Sequence, residues 1–142
     1  MARTALVPGP LPPVGEDDTR TLDGAEIIFH GRVRGRENGT TIVALEYEHY
    51  PGMAEKELEA LAGEAARKFP IRDLVCLHRI GRVRVGEASM RVVVRSPHRE
   101  EALDAVAWFI SEVKQRVPIW KWAVDSDGNR IPCSSGPGAQ SP

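Results

Sequence analysis

Apolar positions along this chain fall into short blocks whose spacing switches from two residues to three and four and back again, and that alternation sets the elements. Residues 25–33 carry Ile27, Ile28, Phe29 and Val33 and predict a strand. Residues 42–47 predict another, and the Asn38-Gly39 pair between them is the kind of turn that closes a hairpin, so these two strands are expected to pair. Over residues 53–69, Leu58, Leu61, Ala62, Ala65 and Phe69 recur at helical intervals, and Pro70 ends the run. Residues 74–80 and 88–95 predict further strands, set off by Gly81 and Gly86 with a short Arg82-Val83-Arg84-Val85 alternation between them, which implies a meander. A second helix over residues 97–116 places Ala102, Val106, Phe109 and Val113 on one stripe, with Leu103 and Ile110 beside it, and residues 119–124 predict a last strand.

The flanks differ in composition. Residues 1–24 are rich in Pro and Gly and predict an extended arm able to add an edge strand; residues 125–142 turn to Gly, Ser, Pro and Asp and predict a flexible tail. Between them, residues 25–124 form one domain. Strands that come in runs, separated by two helices rather than alternating strictly with them, favour an α+β architecture over a doubly wound parallel sheet.

A length of 142 residues, 42% of them hydrophobic, suits one core. A net charge of -1 excludes a generally basic surface for nucleic acid, so any cationic cluster must be local and serve a small anion. A single-stranded RNA binder would need exposed aromatics interleaved with basic residues, and the few aromatics fall mostly at core-like positions. No apolar run approaches the roughly 20 residues that span a bilayer, and the first residues lack the apolar stretch of a signal peptide, so a cytoplasmic protein without membrane association is expected. Cys76 and Cys133 show neither CxxC nor paired Cys/His spacing, which suggests no disulfide framework and no zinc site.

Chemistry concentrates in three stretches. In Lys114-Gln115-Arg116-Val117-Pro118-Ile119-Trp120-Lys121, Pro118 must stop the helix and push Val117 into an extended conformation. Two lysines seven residues apart then sit on different elements that a turn can bring to one site, although a solvated helix lysine followed by a solvated strand lysine fits the same pattern. In Ser96-Pro97-His98-Arg99, Ser96 suits an N-cap and Pro97 the first helical position, which would place His98 and Arg99 beside free helix N–H groups, either as an anion site or pointing to solvent. In Gly31-Arg32-Val33-Arg34, two arginines at i and i+2 share a strand face and suit forked phosphate contacts, or simply solvate the strand end. His30, His49 and His78 gain no catalytic role from their spacing. Tyr47, Tyr50, Met53 and Trp120 could line a wall for a flat heterocycle or belong to the core. No Ser-His-Asp order, P-loop or dinucleotide fingerprint is present. The inventory of Lys, Arg and His can hold a phosphate and move a proton, but it contains no evident nucleophile.

Taken together with Leu45-Glu46-Tyr47-Glu48-His49-Tyr50, His78-Arg79-Ile80-Gly81 and Gly86-Glu87, these stretches resemble the large, catalytic subunit of molybdopterin synthase over about residues 24–124. The resemblance implies an α/β-hammerhead-like α+β fold with antiparallel and mixed sheets and two main helices. It implies a central homodimer within a heterotetramer, each copy binding a small ubiquitin-like sulfur-carrier subunit. The carrier's C-terminal Gly-Gly thiocarboxylate would supply the missing nucleophile, transferring sulfur to cyclic pyranopterin monophosphate to make the dithiolene of molybdopterin. Lys114 matches the family's essential lysine, which contacts the carrier terminus, and Lys121 its second active-site lysine. Arg34, His98 and Arg99 match anion-binding residues, and the His98-Arg99 pair would serve the site of the neighbouring chain. Arg32 and Val33 lie along the implied substrate-binding strand, and Trp122 and Ala123 complete the substrate-binding set, at positions where relatives often carry charged residues. No cofactor or metal is required, molybdenum being inserted later by other proteins. The competing reading is a non-enzymatic regulatory module that binds a phosphorylated ligand through the same cations.

Overall fold

The structure is a computed structural model and describes residues 1–133. Its elements are β1 (Ala2–Val7), β2 (Ala25–Arg32), β3 (Arg36–Glu37), β4 (Thr40–Thr41), β5 (Ala44–His49), α1 (Met53–Lys68), β6 (Asp73–Arg79), β7 (Gly81–Arg84), β8 (Ala88–Ser96), α2 (Arg99–Arg116), β9 (Ile119–Val124) and β10 (Arg130–Pro132). They build one mixed sheet in the order β1-β6-β8-β2, an antiparallel sheet in the order β10-β9-β5-β7, and the small β3-β4 ribbon. Two helices with mixed and antiparallel sheets make this the expected α+β class.

Both helices lie on one face of the first sheet. The apolar stripe of α1 (Leu58, Leu61, Ala62, Ala65) and that of α2 (Ala102, Ala105, Val106, Phe109, Val113) meet Leu74, Cys76, Val92 and Val94 in the main core. A smaller core under the second sheet holds Val33, Ile42, Leu45, Val83, Ala123 and Cys133, and Tyr47 packs against both. The seam between the two cores is where the functional groups gather.

The strand partners differ from the sequence expectation at two places, and the start of α2 at a third. Residues 25–33 and 42–47 do not form a hairpin with each other: β2 pairs with β8 in the first sheet, and β5 pairs with β7 and β9 in the second. Asn38 (φ 51°) and Gly39 (φ 81°) do make a turn with both residues left-handed, but it closes only β3 and β4. Val33 and Ile42 must drop into the smaller core, so the chain crosses between sheets there. The meander is also replaced, since β6 pairs directly with β8 while β7 leaves to pair with β5. Gly81 (φ 84°) and Gly86 (φ 91°) stand at the two corners of that excursion, in a conformation other residues adopt at a cost.

The third difference is the start of α2. Ser96 ends β8 and its hydroxyl donates to the His98 carbonyl, so His98, in extended conformation, is the N-cap and Arg99 is the first helical residue. Glu100 and Glu101 in the first turn complement the helix dipole. Gly24 is required here by close approach, because a Cβ would come within 2.3 Å of the Pro97 carbonyl oxygen.

The arm contributes β1, a parallel edge strand on β6 whose Ala2 and Leu6 pack against the main core. Beyond β1 it is tied down by ion pairs of Arg20 with Asp23 and Asp73. Of the expected flexible tail, residues 125–133 instead turn back at Asp125, whose side chain accepts the Asp127 and Asn129 backbone N–H groups at 2.9 Å each. They return as β10 along β9, burying Cys133. The rest of the expected tail, residues 134–142, lies outside the described residues.

Candidate active site

The two lysines meet because of how α2 ends. Val117 takes an extended conformation (φ -85°, ψ 125°), its N–H still bonded to Val113 O at 3.1 Å, and the Pro118 carbonyl accepts the Tyr50 N–H at 3.1 Å. The chain then runs as β9 antiparallel to β5, setting Lys121 opposite Tyr47. Lys114 projects from the last turn of α2, where the helix dipole favours a cation. Arg116 in the same turn is taken up by Glu57, Glu64 and Glu112 at 3.0–3.4 Å. Among the described residues, no such acid pairs with Lys114.

A cavity of about 320 Å³ opens between these elements. Its cations are Arg32 and Arg34 from the end of β2 and the loop beyond, together with Lys114 and Lys121. Its one carboxylate is Glu37, on the β3-β4 ribbon, 3.7 Å from Lys121. Four formal positive charges against one negative suit an anion, and the partly enclosed setting strengthens the attraction relative to bulk water.

The cavity also has a neutral polar wall. His78 Nδ1 lies 2.7 Å from the Arg79 carbonyl oxygen, which can only accept, so the proton sits on Nδ1 and Nε2 keeps its lone pair. Burial pushes the His78 imidazole down to about 4, so it is neutral at pH 7. Tyr47 stands edge-on to His78, with ring centroids 5.1 Å apart. The Tyr47 hydroxyl donates to Ser89 Oγ at 3.2 Å, and Ser89 donates in turn to the Gly31 carbonyl at 3.3 Å. Burial also raises the Tyr47 phenol, keeping it protonated. A cationic rim beside a neutral aromatic and hydroxyl wall fits a flat, hydrogen-bonding heterocycle that carries a phosphate.

The chain thus brings together Arg32, Arg34, Lys114 and Lys121. It does not bring His98 and Arg99 to them. These two stand exposed at the start of α2, and the 15 residues from Arg99 to Lys114 span about 22 Å of helix at 1.5 Å per residue. Val33 and Ala123, expected in the substrate-binding set, are buried in the smaller core because each must fill space between the second sheet and the loop after β2. Trp122 is held at Glu48 through its indole N–H, with the Arg130 guanidinium 4.5 Å above its ring. Of the proposed aromatic wall, Tyr47 and Trp120 border the cavity, whereas Tyr50 and Met53 are exposed elsewhere.

Glu37, His78 and Ser89 also line the cavity, and no local sequence motif marks them as site residues. The alternation of β6 sends His78 to the helix side of the sheet and Arg79 to the other, but only the pairing of β5 with β9 reveals that Tyr47 and Lys121 face the same space. Among the described residues no cysteine lines the cavity. Cys76 is wholly buried in the main core, where desolvation pushes its thiol up to about 12, and the buried Cys133 thiol is likewise raised. Among the described residues, this cavity therefore has no thiol nucleophile of its own.

Residues 14–116 match the family described as MoaE protein. The molybdopterin synthase catalytic subunit of Pyrococcus abyssi is 47% identical over 105 residues, covering 74% of this chain and 71% of that protein. That of Escherichia coli is 38% identical over 135 residues, covering 92% and 90%. Among solved structures, molybdopterin synthase from Staphylococcus aureus superposes with a TM-score of 0.76 at 32% identity, covering 88% of this chain and 93% of that one. A complex of subunits 1 and 2 of molybdopterin-converting factor from Helicobacter pylori superposes at 0.72 with 25% identity, covering 92% and 90%. With the fold, most of the chain and the stretch carrying Lys114 all matched, this chain belongs to the MoaE family, that of the molybdopterin synthase catalytic subunits.

Proposed function

We propose that this chain is the catalytic subunit of a molybdopterin synthase and transfers sulfur from the C-terminal thiocarboxylate of a small carrier subunit to cyclic pyranopterin monophosphate. The observation that carries the proposal is a cavity with two converging lysines and two arginines but no thiol of its own among the described residues. Such a site can orient an anionic sulfur donor and an anionic substrate while supplying neither.

Arg34 holds the substrate phosphate, with His98 and Arg99 contributed by a second copy of the chain, since a single copy separates them from the cavity by the length of α2. Arg32 borders the same anion. Lys114 positions the carrier's C-terminus and assists proton transfer as the thiocarboxylate sulfur bonds to the pterin side chain and the cyclic phosphate opens. Lys121 holds the pterin or the acyl intermediate, and Glu37 keeps its ammonium aimed inward. Tyr47 and His78 offer a hydroxyl and a free imidazole nitrogen to the heterocycle. The working assembly is a central dimer with one carrier on each copy, as the Helicobacter pylori complex of two subunits supports. No described helix is long and apolar enough to cross a membrane, and the reaction is assigned to the cytoplasm.

Zero-length coupling tests the seating of the carrier. The chain has only four lysines, Lys56, Lys68, Lys114 and Lys121. Activating the carrier's C-terminal carboxylate with a carbodiimide should yield an amide to Lys114 or Lys121, read by peptide mass mapping. Coupling confined to Lys56 or Lys68 on α1 would remove the carrier tail from this cavity.

A further inference from the structure

On the opposite face of the first sheet, away from the helices, lies a second cationic pocket, of about 430 Å³, which shares Arg32 with the catalytic cavity and is otherwise lined by residues that the sulfur-transfer reading does not use. It is set by strand alternation. His30 and Arg91 are direct register partners on β2 and β8, and both point away from the core side occupied by Phe29 and Val92. Arg79 joins them from the end of β6, and Arg32 from the end of β2. Pro10, Leu11 and Val14 of the N-terminal arm form an apolar side to the same pocket.

The charges there are not balanced. Arg32, Arg79 and Arg91 face a single carboxylate, Glu87. Glu87 is already committed to its own turn, with Oε1 accepting the Arg84 N–H at 2.9 Å, and it reaches Arg79 Nη1 only at 3.4 Å. Arg79 is buried, its side chain 6% exposed, and its Nε has no hydrogen-bond partner among the described residues. An unpaired guanidinium donor in a buried position is costly unless something answers it. Arg91 Nε donates to His30 Nε2 at 2.8 Å, which fixes His30 as a neutral acceptor and leaves the rest of the Arg91 fork without an acid partner among the described residues.

We propose that the pocket of Arg32, Arg79, Arg91 and His30, bordered by the Pro10–Val14 arm, is a second anion site that binds a phosphate group, either free or on a small phosphorylated metabolite. Guanidinium groups arriving from three strands suit a tetrahedral oxyanion better than a planar carboxylate. Pro10, Leu11 and Val14 leave one side apolar, as a phosphomonoester with a short carbon skeleton requires. The proposal rests on Arg79, Arg91 and His30, which the sulfur-transfer reading does not use.

The test separates this pocket from the catalytic cavity, which is also cationic. In an Arg34→Ala/Lys114→Ala double variant, which removes the phosphate-holding arginine of the catalytic cavity, inorganic phosphate titrated by calorimetry at fixed ionic strength should still bind saturably. Adding Arg91→Gln should weaken that binding roughly tenfold or more, as expected for loss of a charge-assisted contact. Arg91→Lys in the same background keeps the charge and loses the fork, and should also bind more weakly. Absence of saturable binding in the double variant, unchanged affinity on adding Arg91→Gln or Arg91→Lys, or equal binding of acetate would each overturn the proposal. With the pocket established, tighter binding of glycerol 3-phosphate than of inorganic phosphate assigns the metabolite as its ligand, and the reverse assigns the free ion.

Discussion

Lys114→Ala should lower the rate of sulfur transfer roughly a hundredfold or more, the consequence of removing about 3 kcal/mol of preorganised stabilisation from developing charge. The effect should be large because Lys114 has no acid partner among the described residues, so its charge is available to the carrier terminus and substrate rather than spent within the fold. Stability should hardly change, since the side chain is exposed and projects from the last turn of α2. Single-turnover kinetics with saturating carrier separates lost chemistry from lost binding. The arginine variant discriminates further. A module that only binds a phosphate should accept Lys114→Arg, whereas a lysine that moves a proton or sits against an acyl carbon should not be replaced by a group that stays protonated and carries its charge in a wider fork. Near-normal turnover by Lys114→Ala would remove the lysine from the reaction.

Phe109→Ala should destabilise the fold by about 3–5 kcal/mol, the usual cost of emptying an aromatic site in a packed core. Phe109 is wholly buried at the middle of α2, in the same core cluster as the α1 stripe and the inward residues of β6 and β8. Its loss leaves a cavity at the junction of both helices and the sheet, where four elements would have to shift together to close it. Phe109→Leu should cost less because it retains most of the apolar volume. Urea unfolding with an unchanged slope and a lowered midpoint would show that cost as a pure stability effect. A change under 1 kcal/mol would mean that α2 does not depend on this contact. The same helix starts at Arg99, capped by His98, and carries Lys114 in its last turn, so the packing of Phe109 also positions both of its ends.

Much of this molecule is legible from its sequence because local signals are strong. Periodicity places both helices within a few residues, Pro70 and Pro118 mark their ends, and the lysine pair around Pro118 does converge on one cavity. Strand partners are less legible. A turn pair such as Asn38-Gly39 announces that the chain reverses, but not that only two short flanking strands stay paired while Val33 and Ile42 turn into a second core. The hydrophobic pattern of β7 likewise fits a meander or a crossover equally well. Side-chain direction at the end of α2 and along β9 decides the rest of the site. Lys121 faces Tyr47 and Glu37, whereas the next residues are tied to Glu48 or buried. Glu37 and His78 carry no local signal of function, because their places in the cavity arise from pairings between segments distant in the chain.

Turnover is the most direct test of the central claim. The purified chain is mixed with a thiocarboxylated carrier and cyclic pyranopterin monophosphate, and dithiolene product is read after oxidation to a fluorescent pterin. The account predicts product that depends on both the thiocarboxylate and the chain. No product, with the same carrier active on another synthase, would contradict it.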